Sequence, residues 1–110
     1  MRAAKLNVVG HIEVKEVTFD QKPKAGEALI QVKAVGICGT DLHIFEQGRA
    51  DVELPRIMGH ELSGIVIEVG EGVQNVKPGD RVVMDPVIAC GTCRICKSGH
   101  ANVCEQVKCL

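Results

Sequence analysis

Four cysteines crowd into 15 residues of this 110-residue chain: Cys90-Gly-Thr-Cys93-Arg-Ile-Cys96, then seven residues, then Cys104. No other feature limits the fold as strongly, because from Asp85-Pro86 onward Cys and Gly at short intervals replace periodic apolar residues. A segment without an apolar face cannot be held by a local core, so disulfides or a metal must hold it. The opening MRAAKLNVVG lacks the apolar centre of a secretion signal, so the expected location is the cytoplasm, whose thiol pool keeps cysteine pairs reduced. Tetrahedral zinc takes four thiolates at about 2.3 Å, and such short spacings let one loop wrap the ion. With every position filled by protein, the site at Cys90, Cys93, Cys96 and Cys104 is closed to water and structural in role. Paired disulfides, an iron or iron–sulfur site and unliganded thiols are the alternatives. Four ligands complete such a site, so Cys109 is expected to be a free thiol in a loop.

Upstream, alternation of apolar and polar residues at period two dominates, as at Ile12, Val14 and residues 28–35, with Gly10 and Lys22-Pro23 as punctuation. This pattern predicts strands. Residues 41–48 suit a short helix, with Thr40 or Asp41 as N-cap and Gly48 as stop. Beyond Pro55, residues 65–69 and 81–84 read as strands, separated by turns at Gly70-Glu71-Gly72 and Lys77-Pro78-Gly79-Asp80. The expectation is one mainly β, barrel-like domain over residues 1–110, including a zinc lobe at 86–110. No turn or capping signal follows the lobe before Leu110, so the chain reads as the first part of something longer.

Charge narrows the partners. With 14 acidic and 13 basic side chains, a net charge of −1 and only Phe19 and Phe45 as aromatics, the chain offers nucleic acid neither a basic footprint nor a stacking platform. Its apolar runs are far shorter than the roughly 20 residues of a membrane helix. Gly70-Glu-Gly72 begins like a dinucleotide fingerprint, but the third glycine and the following helix are missing. His60-Glu61 is not the metalloprotease motif, which needs a second histidine four residues on.

Two further segments concentrate chemistry. Gly36-Ile37-Cys38-Gly39-Thr40-Asp41-Leu42-His43 sets a thiol, a hydroxyl, a carboxylate and an imidazole where a strand becomes a helix, and Gly59-His60-Glu61 adds an imidazole and a carboxylate. Residue by residue, the bland readings are a buried Cys, surface polar groups and helix caps. In order and spacing, however, these two segments, Gly64, the stretch Val76-Lys-Pro-Gly-Asp-Arg-Val82 and the four-cysteine lobe resemble the zinc-dependent medium-chain alcohol and polyol dehydrogenases, over nearly the whole chain.

That resemblance implies a GroES-like, partly open β barrel with short helices and a zinc lobe, incomplete here because the family's NAD(P)-binding Rossmann domain follows it. It implies Cys38 and His60 as ligands of a catalytic zinc, and Glu61 as a carboxylate that can ligate the ion or displace its water. A third ligand is expected beyond Leu110. By the same resemblance, Thr40 takes the alcohol proton, His43 ends the proton relay, and Asp41 steadies the His60 imidazole. The implied activity is oxidation of an alcohol, polyol or sugar-acid hydroxyl to a carbonyl with NAD or NADP, with a lean towards sorbitol- and threonine-dehydrogenase-like members. It implies a full-length homo-oligomer, and 110 residues alone are expected to be inactive. The rival reading is a stand-alone, non-enzymatic zinc module serving binding or assembly.

Overall fold

The structure is a computed structural model that describes residues 1–109. Strands β1 (Arg2–Val8) and β2 (His11–Glu16) form an antiparallel hairpin, registered from Arg2 opposite Glu16 to Val8 opposite His11. Within it Leu6 is completely buried and Ala3 nearly so, whereas Ile12 and Val14 of β2 stay exposed. The second long pairing joins β3 (Ala28–Gly36) to β5 (Glu61–Val69), while the two-residue β4 (Arg56–Ile57) lies along β1. β6 (Arg81–Val83) pairs with β5 after the turn at Lys77, where the Lys77 amide donates to Asp80 Oδ2 at 3.0 Å. The sheet orders are β2-β1-β4 and β3-β5-β6. The expected mainly β architecture is therefore present, as open sheets with no closed barrel among the described residues.

Strands β3 and β5 approach so closely at Gly64 that a Cβ there would meet Gln31 O at 2.5 Å. Only glycine fits, for reasons of space and not of backbone angle.

Helix α1 (Gly39–Gln47) begins earlier than expected. Its N-cap is Cys38, not Thr40 or Asp41, because Asp41 sits one turn inside and reaches back, its Oδ2 accepting the Cys38 amide at 3.0 Å. Gly48 ends the helix as expected, with φ 72° and its amide on Ile44 O at 3.0 Å. Ile44 faces inward and joins Ala3, Leu6, Val66 and Cys104 as the buried apolar residues among those described. The Gly10 amide, donating to Phe45 O at 2.7 Å, ties the β1–β2 hairpin to α1.

The lobe contains β7 (Val87–Ile88), α2 (Arg94–Lys97), a 3-10 turn at Ala101–Val103 and β8 (Lys108–Cys109). Cys109 thus belongs to a strand opposite Val87, not to a loop. The state of its thiol and the terminal Leu110 lie outside the described residues. Among the described residues no helix is long and apolar enough to cross a membrane.

Candidate metal centres

The lobe brings Cys90, Cys93, Cys96 and Cys104 together, with all four Sγ atoms within 4.8 Å of one another. Cys90 to Cys96 and Cys93 to Cys104 both measure 4.0 Å. Two thiolates on a tetrahedral zinc stand about 3.8 Å apart, given sulfur–zinc bonds of about 2.3 Å. A disulfide needs about 2.05 Å, and all four thiols are free. Paired disulfides are thereby removed as an alternative.

Local folding supplies the electrostatics. The Cys93 amide donates to Cys90 Sγ at 3.3 Å and the Cys96 amide to Cys93 Sγ at 3.4 Å, while Cys104 Sγ receives the Cys90 and Gln106 amides at 3.3 and 3.2 Å. Thr92 Oγ1 adds a donor to Cys90 at 3.6 Å. The Thr92 and Cys93 backbone amides, helped by that hydroxyl, lower the Cys90 thiol from 9.0 to about 6. Cys93 is lowered chiefly by the Cys96 amide, whereas burial drives Cys96 up to about 12. Amide donors thus favour the thiolates that a soft divalent ion requires, and burial resists the last deprotonation until a cation offsets it. Spacing alone did not reveal these donors, although Thr92 between two ligands was visible in the sequence.

The second centre forms where β3 passes into α1. Cys38 Sγ lies 3.0 Å from His60 Nε2, and both residues are half-buried. Asp41 completes a group of three whose ligand atoms lie within 4.8 Å of one another. Its buried Oδ1 accepts no hydrogen bond and stands 3.4 Å from His60 Nδ1, so the carboxylate flanks the imidazole on the side away from the thiol. A sulfur and an imidazole nitrogen converging, with a carboxylate behind the imidazole, is a donor set that suits zinc. Catalytic zinc takes three protein ligands and one open position. Among the described residues, Cys38 and His60 could supply two.

Glu61 lies apart from these three. Glu61, the first residue of β5, is exposed and falls outside the group of three. It opens β5 opposite Gly36, where its Oε2 would lie only 3.1 Å from an added Cβ, and it borders an open cleft of about 500 Å³ with Leu62, Val83 and Met84. Thr40 and His43, three residues apart on one face of α1, are both exposed.

Comparison with known proteins adds an independent line. Residues 24–110 match the alcohol dehydrogenase GroES-like domain family. An L-threonine 3-dehydrogenase of Caldanaerobacter subterraneus is 45% identical over 101 residues, covering 87% of this chain and 29% of that protein. Galactitol-1-phosphate dehydrogenase from Escherichia coli superposes with a TM-score of 0.90 at 29% identity, covering 100% of this chain and 32% of the other. A short chain alcohol dehydrogenase from Escherichia coli, complexed with NADH, gives 0.83 at 38% identity, with 100% and 32% covered. The chain therefore spans less than a third of the length of these relatives. On this match, and with both cysteine-containing centres formed, the chain belongs to the zinc-type medium-chain alcohol dehydrogenases through its GroES-like domain.

Proposed function

We propose that these residues are the N-terminal, zinc-binding catalytic part of an oxidoreductase that converts the hydroxyl of an alcohol, polyol or sugar acid to a carbonyl with NAD or NADP. The observation that carries this reading is the convergence of Cys38 Sγ and His60 Nε2 at 3.0 Å beside the start of α1. Cys38 and His60 would hold the catalytic zinc with a third ligand from outside these residues, and Cys90, Cys93, Cys96 and Cys104 the structural one. When bound, the catalytic ion supplies a Lewis acid that lowers the pKa of the substrate hydroxyl.

The remaining work falls to side chains. Asp41 steadies the imidazole so that Nε2 faces the thiol. Thr40, the second residue of α1, accepts the substrate proton as its own passes on, and His43 on the same exposed face carries the proton to water. Glu61, on the cleft side, is the carboxylate available for exchange with the ion. A nicotinamide held by a domain outside these residues would supply the hydride acceptor. The 110 residues alone are accordingly inactive, and the full-length protein is a cytoplasmic homo-oligomer acting on a small hydroxyl substrate.

The test is oxidation of a panel of alcohols, polyols and sugar acids by the intact gene product with NAD or NADP, followed by nicotinamide absorbance. Turnover that falls by about 100-fold or more in Thr40→Ala supports the reading, since a positioned proton acceptor contributes about that much. An intact product of 110 residues that binds zinc and oxidises nothing establishes the non-enzymatic module instead.

A further inference from the structure

We propose that Gly59 and Val35 act together as the device that positions His60 against Cys38, a proposal that rests on reading those two as a ligand pair. Gly59 immediately precedes His60 and has φ 108°, a region that side chains of L residues rarely enter. A Cβ at Gly59 would meet Val35 Cγ1 at 2.6 Å, but Val35 Cβ only at 3.8 Å. The γ-methyl of Val35 therefore lies directly on the Gly59 backbone.

The contact brackets the imidazole. Met58, before Gly59, is anchored to the first sheet by its amide on Ala4 O at 3.0 Å. Leu62, two residues after His60, is paired with Val35 itself in the second sheet. The chain thus crosses from one sheet to the other at Gly59, and His60 sits in the crossing. Val35 grips the chain on both sides, by its side chain at Gly59 and by its backbone at Leu62. It also lies three residues before Cys38, near the end of β3, so one residue sets the positions of both Sγ and Nε2. Val35 is 48% exposed, so its value to the core is small and its effect on the site can be read separately.

The experiment compares the zinc-loaded parent chain with Gly59→Ala, Val35→Ala and the double variant by NMR. The readout is the nuclear Overhauser contact between the His60 imidazole and the Cys38 β protons, with the Cys93 and Cys96 amides as a control for the lobe. Gly59→Ala is expected to lose the contact while the lobe signals stay in place. In the double variant the contact returns, weaker than in the parent, because the steric conflict is gone and only the unfavourable φ remains. If Gly59→Ala does not fold, refolding of the double variant is the equivalent result. A contact that survives in Gly59→Ala overturns the proposal, as does a double variant no better than the single one. Metal content decides the ligand reading; this contact decides the positioning, so the two fail separately.

Discussion

Asp41 serves two neighbours at once. Its Oδ2 caps α1 through the Cys38 amide, and its Oδ1 faces the His60 imidazole. Asp41→Ala should therefore cost about 1 kcal/mol of stability through the lost cap. It should also weaken zinc at the Cys38 centre by about 10- to 100-fold through the lost orientation of the imidazole. Urea titration and chelator competition measure the two, and unchanged metal affinity would refute the second role. Asp80 gives a pH signature instead. The Lys77 amide, then the Lys77 ammonium, hold its carboxyl below the ordinary 3.8. A depressed folded-state pKa contributes stability that is fully present above the unfolded value and is lost as pH falls through the folded one. Asp80→Asn should be less stable than the parent at neutral pH, with the gap closing below pH 3.8. A gap independent of pH in paired urea titrations would contradict that origin.

Among the elements, the lobe depends most on its metal. The helix α2 has four residues and the 3-10 turn three, far too few to persist alone, and β7 and β8 share only two residue pairs. Stripping the ion with a chelator should speed amide exchange across residues 93–98 while β5 keeps its protection; equal exchange before and after would show the thiols to be incidental. These elements also mark what could be read in advance. The long strands β1, β2 and β3 lie in the stretch of period-two alternation and β5 carries the β-branched run at 65–69, but β4, β7 and β8 have two residues each, too few to carry any periodicity. The start of α1 was misplaced because Asp41 looks like a cap and works as one from inside the helix. In the lobe, ligands and donors are neighbours in the chain, so spacing exposed the cluster. The approach of Asp41 to His60 and the seat of Val35 on Gly59 arise from the meeting of distant segments.

The whole molecule carries an unusual amount of surface. It exposes 8208 Å² at 11.8 kDa, where a compact monomer of that mass exposes about 5,900 Å². Its radius of gyration of 15.7 Å likewise exceeds the roughly 13 Å of a compact chain of this length. Val83 at 82% and Ile37 at 90% exposure are part of the excess. Folding thus removes less surface from water than usual, and the urea m-value of the zinc-loaded chain should fall about a fifth below the norm for its length. A normal m-value would mean that the exposed faces are covered in solution. The central claim concerns two metal centres in one small β scaffold. Zinc per purified chain tests it most directly, measured alongside Cys38→Ser and a variant with both Cys93 and Cys96 changed to Ser. Two equivalents are expected in the parent and one in either variant. One equivalent lost with Cys93 and Cys96 would remove the Cys38 and His60 centre from this chain, and no zinc at all would contradict both.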